Sequence, residues 1–305
     1  MWVTRSSGVY ARLFRESSLG FAFGKANSNL KFGIRSIIDI SYKGTTEEIT
    51  SSSKDKERTI AIMSFNNPPA NTFNMEHITE FKNAFGKLEK DPSIRGVILT
   101  SSLNNMFTAG VDLQTFSRDK QYLMEFWAQI AQLFRQIYSS RLLTLSAING
   151  HCLALGVVFA LASHDRFMLN GPYKIGLNEV QVGIPLPIWL IDVLKQTISG
   201  RMAEKFASDG SVIGVQEALK VGLVDHSFDS QKELLEQSLV YMRHRSNIPE
   251  YSQVQTMKNA RKDFLDSFDS KVDIEEFVGQ LMAKETQDRV RLAAELLSKK
   301  KSPKK

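Results

Sequence analysis

Short apolar runs alternate with amphipathic stretches through most of this 305-residue chain, and this alternation constrains the fold more than any other feature. Gly96–Thr100 and Leu142–Ile148 are short and apolar, as buried strands are. Met75–Leu88 and Tyr122–Tyr138 carry apolar residues at helical spacing. Strands that alternate with helices in this way predict an α/β fold, in which right-handed crossovers build a parallel sheet.

The two ends of the regular region differ from its middle. Ile37–Tyr42 and Thr59–Phe65 are predicted to form a strand hairpin with a long polar loop. Beyond about residue 246 the strand-like runs stop. Val272–Leu297 is predicted to be one long amphipathic helix. Its predicted apolar side consists of Phe277, Leu281, Val290, Leu292 and Leu296.

The net charge of +6 resides at the two termini. Residues 1–36 carry six Lys and Arg against one Glu, and the last seven residues carry five Lys, so the remainder is mildly acidic. The arginine-bearing, serine-rich N-terminal segment predicts a mitochondrial presequence over 1–36; a basic extension without a targeting role is the alternative. No aromatic residues are interleaved with the lysine tail, so we expect a solvated helix end and no nucleic-acid site. The predicted organisation is this presequence, a core over 37–245 and a helical region over 246–305.

The composition excludes several classes of protein. With 42% hydrophobic and 24% charged residues, the chain can bury a full core, and its apolar runs are far shorter than the roughly 18 residues of a spanning helix. We therefore expect a soluble protein without a membrane span. One cysteine and five scattered histidines predict neither an internal disulfide nor a metal site. The cysteine, Cys152, is either a packed core residue or a nucleophile in its loop.

Three segments combine a strand-like run with small residues at a turn: Phe107–Leu113, Asn149–Gly156 and Ile175–Glu179. Such turns can direct backbone N–H groups into a cleft. The second segment leads into Leu155–Ala162, which is apolar on every side and so predicts a buried helix. The first N–H groups of a helix lack intrahelical acceptors, and each can stabilise an enolate oxygen by about 3–4 kcal/mol.

Glu179 is the acidic residue in these segments that lies between apolar stretches. Apolar surroundings would raise the pKa of its carboxyl toward neutrality, where a general base works best. A helix-capping or surface carboxylate is the alternative interpretation. The residues alone leave both open.

These segments resemble the crotonase (enoyl-CoA hydratase/isomerase) superfamily. The resemblance also includes Asn67–Pro69, Gly96–Ser101 and Ser146–Gly150, and it extends from about Ile37 to the C-terminus. Within the superfamily the chain is most similar to the mitochondrial Δ3,Δ2-enoyl-CoA isomerases. The resemblance implies an α/β, crotonase-like (ββα) spiral core with a C-terminal helical oligomerisation region.

The resemblance also implies roles for particular residues. Glu179 would be the catalytic acid and base, and the backbone N–H groups of Val111 and Leu155 would form an oxyanion hole. The chain departs from the family at Leu155, where a glycine is common. The residues expected to bind substrate are Ala70, Ala109, Gly110, Asp112, Leu113 and Asn178.

Val158 separates two activities of the superfamily. The hydratases carry a second glutamate at this position, which valine cannot replace in the activation of water. The resemblance therefore implies an isomerase of 3-enoyl-CoA thioesters in the β-oxidation of unsaturated fatty acids, in the mitochondrial matrix. It would need no metal and no cofactor beyond the CoA of its substrate, and would form a homotrimer or a dimer of trimers. Another crotonase-type CoA-thioester enzyme, such as a weak hydratase, and a non-catalytic RNA-binding member are the alternatives.

Overall fold

The computed structural model describes residues 36–44, 59–268 and 270–301. All of them belong to one compact unit, Ser36–Lys305. Apart from Ser36, the predicted presequence lies outside the described residues, as do the polar run between the first two strands and the last lysines, Lys304 and Lys305. The presequence therefore stays a prediction.

Twelve strands in the described residues form three sheets. The strands are β1 (Ile38–Gly44), β2 (Thr59–Phe65), β3 (Thr72–Phe73), β4 (Ile94–Ser101), β5 (Asn105–Thr108), β6 (Gly110–Val111), β7 (Leu143–Ile148), β8 (Gly150–Leu153), β9 (Asp165–Leu169), β10 (Lys174–Gly176), β11 (Val212–Gly214) and β12 (His226–Phe228). The largest sheet has the order β1-β2-β4-β7-β9-β12. Only β1 is antiparallel in it, which confirms both the predicted hairpin and the predicted parallel sheet.

The second sheet, β11-β10-β8-β5, has three parallel strands and one antiparallel edge, and β3 pairs with β6 in the third. Three short strands of the second sheet each follow a strand of the first directly: β5 follows β4, β8 follows β7 and β10 follows β9. The chain thus visits the large sheet and then the small one in successive turns. The predicted α/β spiral core is confirmed.

Ten α-helices in the described residues cover these sheets. They are α1 (Met75–Lys90), α2 (Lys120–Tyr138), α3 (Leu155–Ala162), α4 (Ile188–Thr197), α5 (Gly200–Ser208), α6 (Val215–Val221), α7 (Gln231–Ser246), α8 (Glu250–Ser267), α9 (Ser270–Leu281) and α10 (Lys284–Lys301). Helix α1 begins where the Asn74 side chain accepts a hydrogen bond from the His77 N–H at 3.0 Å. Its residues Ile78, Phe81 and Phe85 are fully buried, as their helical spacing predicts.

A cluster of phenylalanine rings connects the elements that later contribute to the site. Phe65 on β2 lies 5.3 Å, between ring centroids, from Phe73 on β3 and from Phe107 on β5. Phe159 on the buried helix α3 lies 5.2 Å from Phe73 and 5.0 Å from Phe81. The rings meet mostly edge to face, which is the favoured arrangement of aromatic pairs. The cluster therefore holds β3, β5 and α3 in a fixed arrangement.

The C-terminal region corrects one sequence-based prediction. Val272–Leu297 is not one helix: α9 ends at Leu281 and α10 begins at Lys284. Leu281 and Val290 are both buried in one apolar cluster. At about 100° per residue, a continuous helix would place them on opposite faces, so the chain turns between them. Of the residues predicted for the apolar side, Leu292 and Leu296 are exposed at 49% and 54%.

Two further expectations can be compared with the structure. Cys152 is fully buried, and burial raises the pKa of its thiol far above the ordinary value, so it is a packed core residue. Within the described part of the chain, no helix is both long and apolar enough to cross a bilayer.

Candidate active site

The carboxyl ends of three parallel strands bring the three segments together. In the small sheet, Thr108 at the end of β5 pairs with Cys152 of β8, and Leu153 at the end of β8 pairs with Gly176 at the end of β10. Parallel strands in register end at the same edge of a sheet. The turns that follow β5, β8 and β10 therefore lie side by side.

The turn that follows β5 is the first turn, and those that follow β8 and β10 are the second and third. The first turn is held in place by backbone hydrogen bonds on both sides of Val111. The Ala109 N–H donates to the Ala70 carbonyl at 2.9 Å, and the Asp112 N–H donates to the Phe73 carbonyl at 2.9 Å. Successive N–H groups along a strand point in opposite directions. Because the Asp112 N–H faces β3, the N–H of Val111 faces away from it.

The second turn ends in a residue of unusual backbone geometry. Ala154 has φ +50°, a conformation that L-residues rarely adopt, and its N–H donates to the Gly176 carbonyl at 3.0 Å. The Ala154 carbonyl accepts the N–H groups of Val157 and Val158 at 2.8 and 3.4 Å. The N–H of Leu155 therefore precedes the first intrahelical hydrogen bond of α3 and lies at the positive end of the helix dipole.

The first and second turns touch each other at Gly110. This residue has φ +100°, and a Cβ atom built on it would lie 2.8 Å from the Ala154 Cβ and 3.5 Å from the Leu155 nitrogen. A side chain at this position would clash as well as strain the backbone. Gly110 thus allows the peptide that carries the Val111 N–H to approach the start of α3.

Glu179 begins a short 3-10 helix, Glu179–Val182, two residues after Leu177. The residue is half-buried, but its Oε2 atom is inaccessible to solvent and has no hydrogen-bond partner among the described residues. Burial raises the pKa of this carboxyl from 4.5 to about 7, against a smaller lowering by its own backbone N–H. This confirms the predicted direction of the pKa shift. A carboxyl of this kind can both accept and release a proton at neutral pH.

One wall beside these groups is an apolar cluster formed by Phe116, Ile184, Phe277, Leu281 and Val290. Val111 and Leu113 pack against this cluster. The cluster is joined to the 3-10 helix because the Ile184 N–H donates to the Glu179 carbonyl at 3.0 Å.

Helix α10 also contacts the turn that follows the 3-10 helix. Gly183 has φ +83°, and a Cβ atom built on it would lie 2.8 Å from the Cβ of Arg289. The C-terminal helices of the chain therefore cover one side of its own site.

The structure gives several of the expected substrate-binding residues a clear position. The side chain of Asp112 accepts the Gln114 N–H at 3.0 Å and caps a 3-10 helix, Leu113–Ser117. Ala70 contacts the first turn through its carbonyl, as described above. Asn178 precedes Glu179, and its carbonyl accepts the Gln181 N–H at 3.2 Å. Their contacts with a substrate stay predictions.

Val158 is buried on α3, with 4% of its surface exposed. In the described part of the chain, no group of three or more His, Cys, Asp or Glu residues could hold a metal ion. The catalytic role expected for Glu179 stays a prediction.

Two polar residues that sequence reasoning did not select support the first turn. Asn71 is fully buried at φ +49°, and its side chain donates to the Ser101 hydroxyl at 2.7 Å and to the Phe107 carbonyl at 2.9 Å. Thr108 is also fully buried, and its hydroxyl donates to the Asn71 carbonyl at 2.6 Å. The one local signal for Asn71 is its residue type, since asparagine tolerates a left-handed backbone better than most residues.

Comparison with known proteins identifies the family of this chain. The family model described as enoyl-CoA hydratase/isomerase matches residues 55–292. The chain belongs to the enoyl-CoA hydratase/isomerase family. "Enoyl-CoA delta isomerase 1, mitochondrial" of Rattus norvegicus is 38% identical to the chain over 258 residues, which cover 81% of the chain and 87% of the rat protein. The protein of the same name from Mus musculus is 36% identical, over 79% of the chain and 85% of the mouse protein.

A solved structure of this enoyl-CoA hydratase/isomerase family also matches the chain. The crystal structure of human mitochondrial delta3-delta2-enoyl-CoA isomerase superposes with a TM-score of 0.77 at 34% sequence identity. The match covers 80% of this chain and 95% of the human chain. The family resemblance inferred from the sequence is therefore confirmed, and so is the crotonase-like fold.

Proposed function

We propose that this chain is a Δ3,Δ2-enoyl-CoA isomerase, which converts a 3-enoyl-CoA, cis or trans, into the trans-2-enoyl-CoA. The observation that carries the proposal is the Glu179 carboxyl, whose Oε2 is buried without a hydrogen-bond partner among the described residues and whose pKa burial raises to about 7. It follows β10, which lies in one sheet with β8 and β5, the strands that lead into the turns of Leu155 and Val111. Relatives that match most of the chain carry the name of this activity.

In the proposed reaction, ionised Glu179 removes a proton from C2 of the substrate. The electron pair of that C–H bond moves into the C1–C2 bond, and the thioester oxygen becomes negatively charged. The N–H groups of Val111 and Leu155 stabilise this dienolate oxygen, each by about 3–4 kcal/mol. Protonated Glu179 then returns the proton to C4, the double bond moves to C2–C3, and the carboxylate is regenerated.

The valine at position 158 favours this reaction over hydration. Addition of water across a double bond needs one group to activate the water and another to complete the proton transfers. Val158 offers no ionisable group, whereas proton transfer from C2 to C4 can be carried out by one carboxylate. We therefore propose isomerisation as the main activity, with no metal and no cofactor besides the CoA of the substrate.

We also propose a mitochondrial matrix location, a role in the β-oxidation of unsaturated fatty acids, and assembly as a homotrimer or a dimer of trimers. The location is supported by the arginine-bearing, serine-rich segment at 1–36 and by the word mitochondrial in the relatives' names. The expected site for oligomerisation is the C-terminal helical region. The mass of the purified protein in solution tests the assembly directly.

The first experiment is turnover of 3-hexenoyl-CoA by the purified chain, followed through the ultraviolet absorbance of the conjugated thioester product. Glu179→Gln retains the shape of the side chain but cannot take up the C2 proton, so turnover should be lost. Glu217→Gln, at an exposed position on α6, is the matched control and should be as active as the parent. An inactive parent would refute the proposal, and efficient hydration of crotonyl-CoA would favour the hydratase alternative.

A further inference from the structure

Thr108 makes contacts that connect the two turns of the site. It is the last residue of β5 and is fully buried. A buried hydroxyl is stable only when it is hydrogen-bonded. Its Oγ1 donates to the Asn71 carbonyl at 2.6 Å and accepts the Gly110 N–H at 2.9 Å.

The acceptor of the Thr108 hydroxyl is itself firmly held. The Asn71 side chain donates to the Ser101 hydroxyl and to the Phe107 carbonyl, and its Oδ1 accepts the Asn67 N–H at 2.7 Å. The Asn71 side chain thus makes three hydrogen bonds to fixed groups. The Thr108 hydroxyl is therefore attached to a rigid support and can hold the Gly110 N–H in one position.

The position of Gly110 decides where the Val111 N–H points. The peptide between these two residues follows the backbone of Gly110, which the Thr108 hydroxyl holds on one side. On the other side, the Asp112 N–H is bonded to the Phe73 carbonyl. Loss of the Thr108 hydroxyl would release the first side of this peptide.

The methyl group of Thr108 faces the second turn. A Cβ atom built on Gly156, in the first turn of α3, would lie 2.7 Å from the Thr108 Cγ2. Gly156 directly follows Leu155, the second expected donor. One side chain thus bonds the backbone of the first turn and packs against the backbone of the second.

We propose that Thr108 is a positioning residue, which sets the geometry between the N–H groups of Val111 and Leu155. It does not touch the reacting atoms, and it acts through the Gly110 peptide. The proposal rests on the proposed function, because it assumes that these two N–H groups bind the substrate's thioester oxygen. Since the dienolate carries more charge than the substrate, the effect should fall on kcat more than on KM.

The test compares Thr108→Val, which removes the hydroxyl and keeps the shape, with Thr108→Ser, which keeps the hydroxyl. With 3-hexenoyl-CoA we expect Thr108→Val to lower kcat by about 10-fold to 100-fold with KM changed by less than about threefold. Thr108→Ser should retain kcat within about threefold of the parent value. Equal losses in both variants would show that side-chain volume matters and not the hydroxyl, and would overturn the proposal.

Thr144→Val is the matched control. Thr144 is equally buried, and its hydroxyl accepts the His164 N–H at 3.1 Å, but it lies on β7, outside the three turns. We expect its kcat to stay near that of the parent. If Thr144→Val loses as much kcat as Thr108→Val, the loss reflects general destabilisation and the positioning role is refuted.

A second measurement keeps this test separate from the proposed function. Acetoacetyl-CoA can ionise to an enolate with its own ultraviolet absorbance, so its enolate fraction when bound reports how well the two N–H groups stabilise an oxyanion. We expect this fraction to be lower in Thr108→Val than in the parent and in Thr108→Ser. A parent protein that is inactive but still binds the enolate would refute the proposed isomerase activity, and the role of Thr108 could still be tested by the enolate fraction. An unchanged enolate fraction in Thr108→Val would overturn the positioning role.

Discussion

Replacement of Glu179 by glutamine should favour the stability of the fold more at high pH than at low pH. In the folded chain, burial raises the pKa of the Glu179 carboxyl to about 7, whereas the hydrated carboxyl of the unfolded chain has its ordinary pKa of 4.5. Between these two values the folded state keeps a proton that the unfolded state has released. The folded state is therefore progressively destabilised as the pH rises from 4.5 to about 7, and the full destabilisation is present above that range.

The size of this effect follows from the two pKa values. At about 1.4 kcal/mol for each pKa unit, the interval from 4.5 to about 7 corresponds to roughly 3 kcal/mol. The linkage relation gives a destabilisation of about 1 kcal/mol at pH 5 and about 3 kcal/mol at pH 8. Any cost of placing an amide in the apolar site is independent of pH. The difference between the two pH values, about 2 kcal/mol, is therefore the quantity to measure.

The assay is urea unfolding of the parent and of Glu179→Gln at both pH values and at one protein concentration, since association also changes apparent stability. Relative to the parent, the variant should gain about 2 kcal/mol more in the free energy of unfolding at pH 8 than at pH 5. Glu217→Gln, which changes an exposed carboxylate, should show no such difference. An equal effect of Glu179→Gln at the two pH values would show that the carboxyl is not held near neutrality by burial.

Two further predictions concern the site, and a third concerns His164, which contacts β7. Because Glu179 must be ionised to take the C2 proton, kcat/KM for 3-hexenoyl-CoA should fall as the pH drops below about 7, and a flat pH profile would contradict this. Gly110→Ala should lower kcat by more than about 10-fold, because the new Cβ meets Ala154 at 2.8 Å and φ is +100°. Burial holds the pKa of His164 well below 6.5, and its Nδ1 accepts the Thr144 N–H at 3.1 Å. Because the unfolded state takes up a proton at this residue before the folded state does, the free energy of unfolding should decrease as the pH falls below 6.5. In urea unfolding, His164→Gln should show a smaller decrease.

The sequence was informative where a local pattern determines the structure. Apolar runs such as Leu142–Ile148 predict buried strands because few other elements are so short and so apolar. Once a parallel sheet is inferred, the turns after neighbouring strands must lie at one edge. Val111, Leu155 and Glu179 are far apart in sequence, and this rule alone brings their segments together.

The break between α9 and α10 was missed although a signal for it was present. The predicted apolar side contains both Leu281 and Val290, yet nine residues of a continuous helix rotate by about 900°, which leaves the two side chains about 180° apart. Both side chains could be buried together only if the helix were interrupted. The structure places the turn at Met282 and Ala283, where the Ala283 N–H donates to the Gln280 carbonyl at 3.2 Å.

The roles of Asn71 and Thr108 could not be derived from local patterns. Buried hydroxyl and amide groups are recognised by their partners, and these partners lie on β4, on β5 and in the first turn. In sequence, Thr108 is one more β-branched residue at the end of a strand. Its contacts with both turns exist only after the small sheet and α3 have packed.

The same burial that should activate Glu179 should also destabilise the fold, and this explains why its surroundings are so firmly supported. A carboxyl with an unpaired, solvent-inaccessible oxygen would regain free energy if its segment moved outward to water. Its segment is held by the Ile184 N–H at the Glu179 carbonyl and by Arg289 of α10 against Gly183. If these contacts were weakened, the carboxyl would become hydrated and its pKa would fall toward 4.5. The pH at which activity is lost should then fall as well, so a substitution at Arg289 that loosens this packing should shift the pH profile of kcat/KM to lower pH while lowering its maximum.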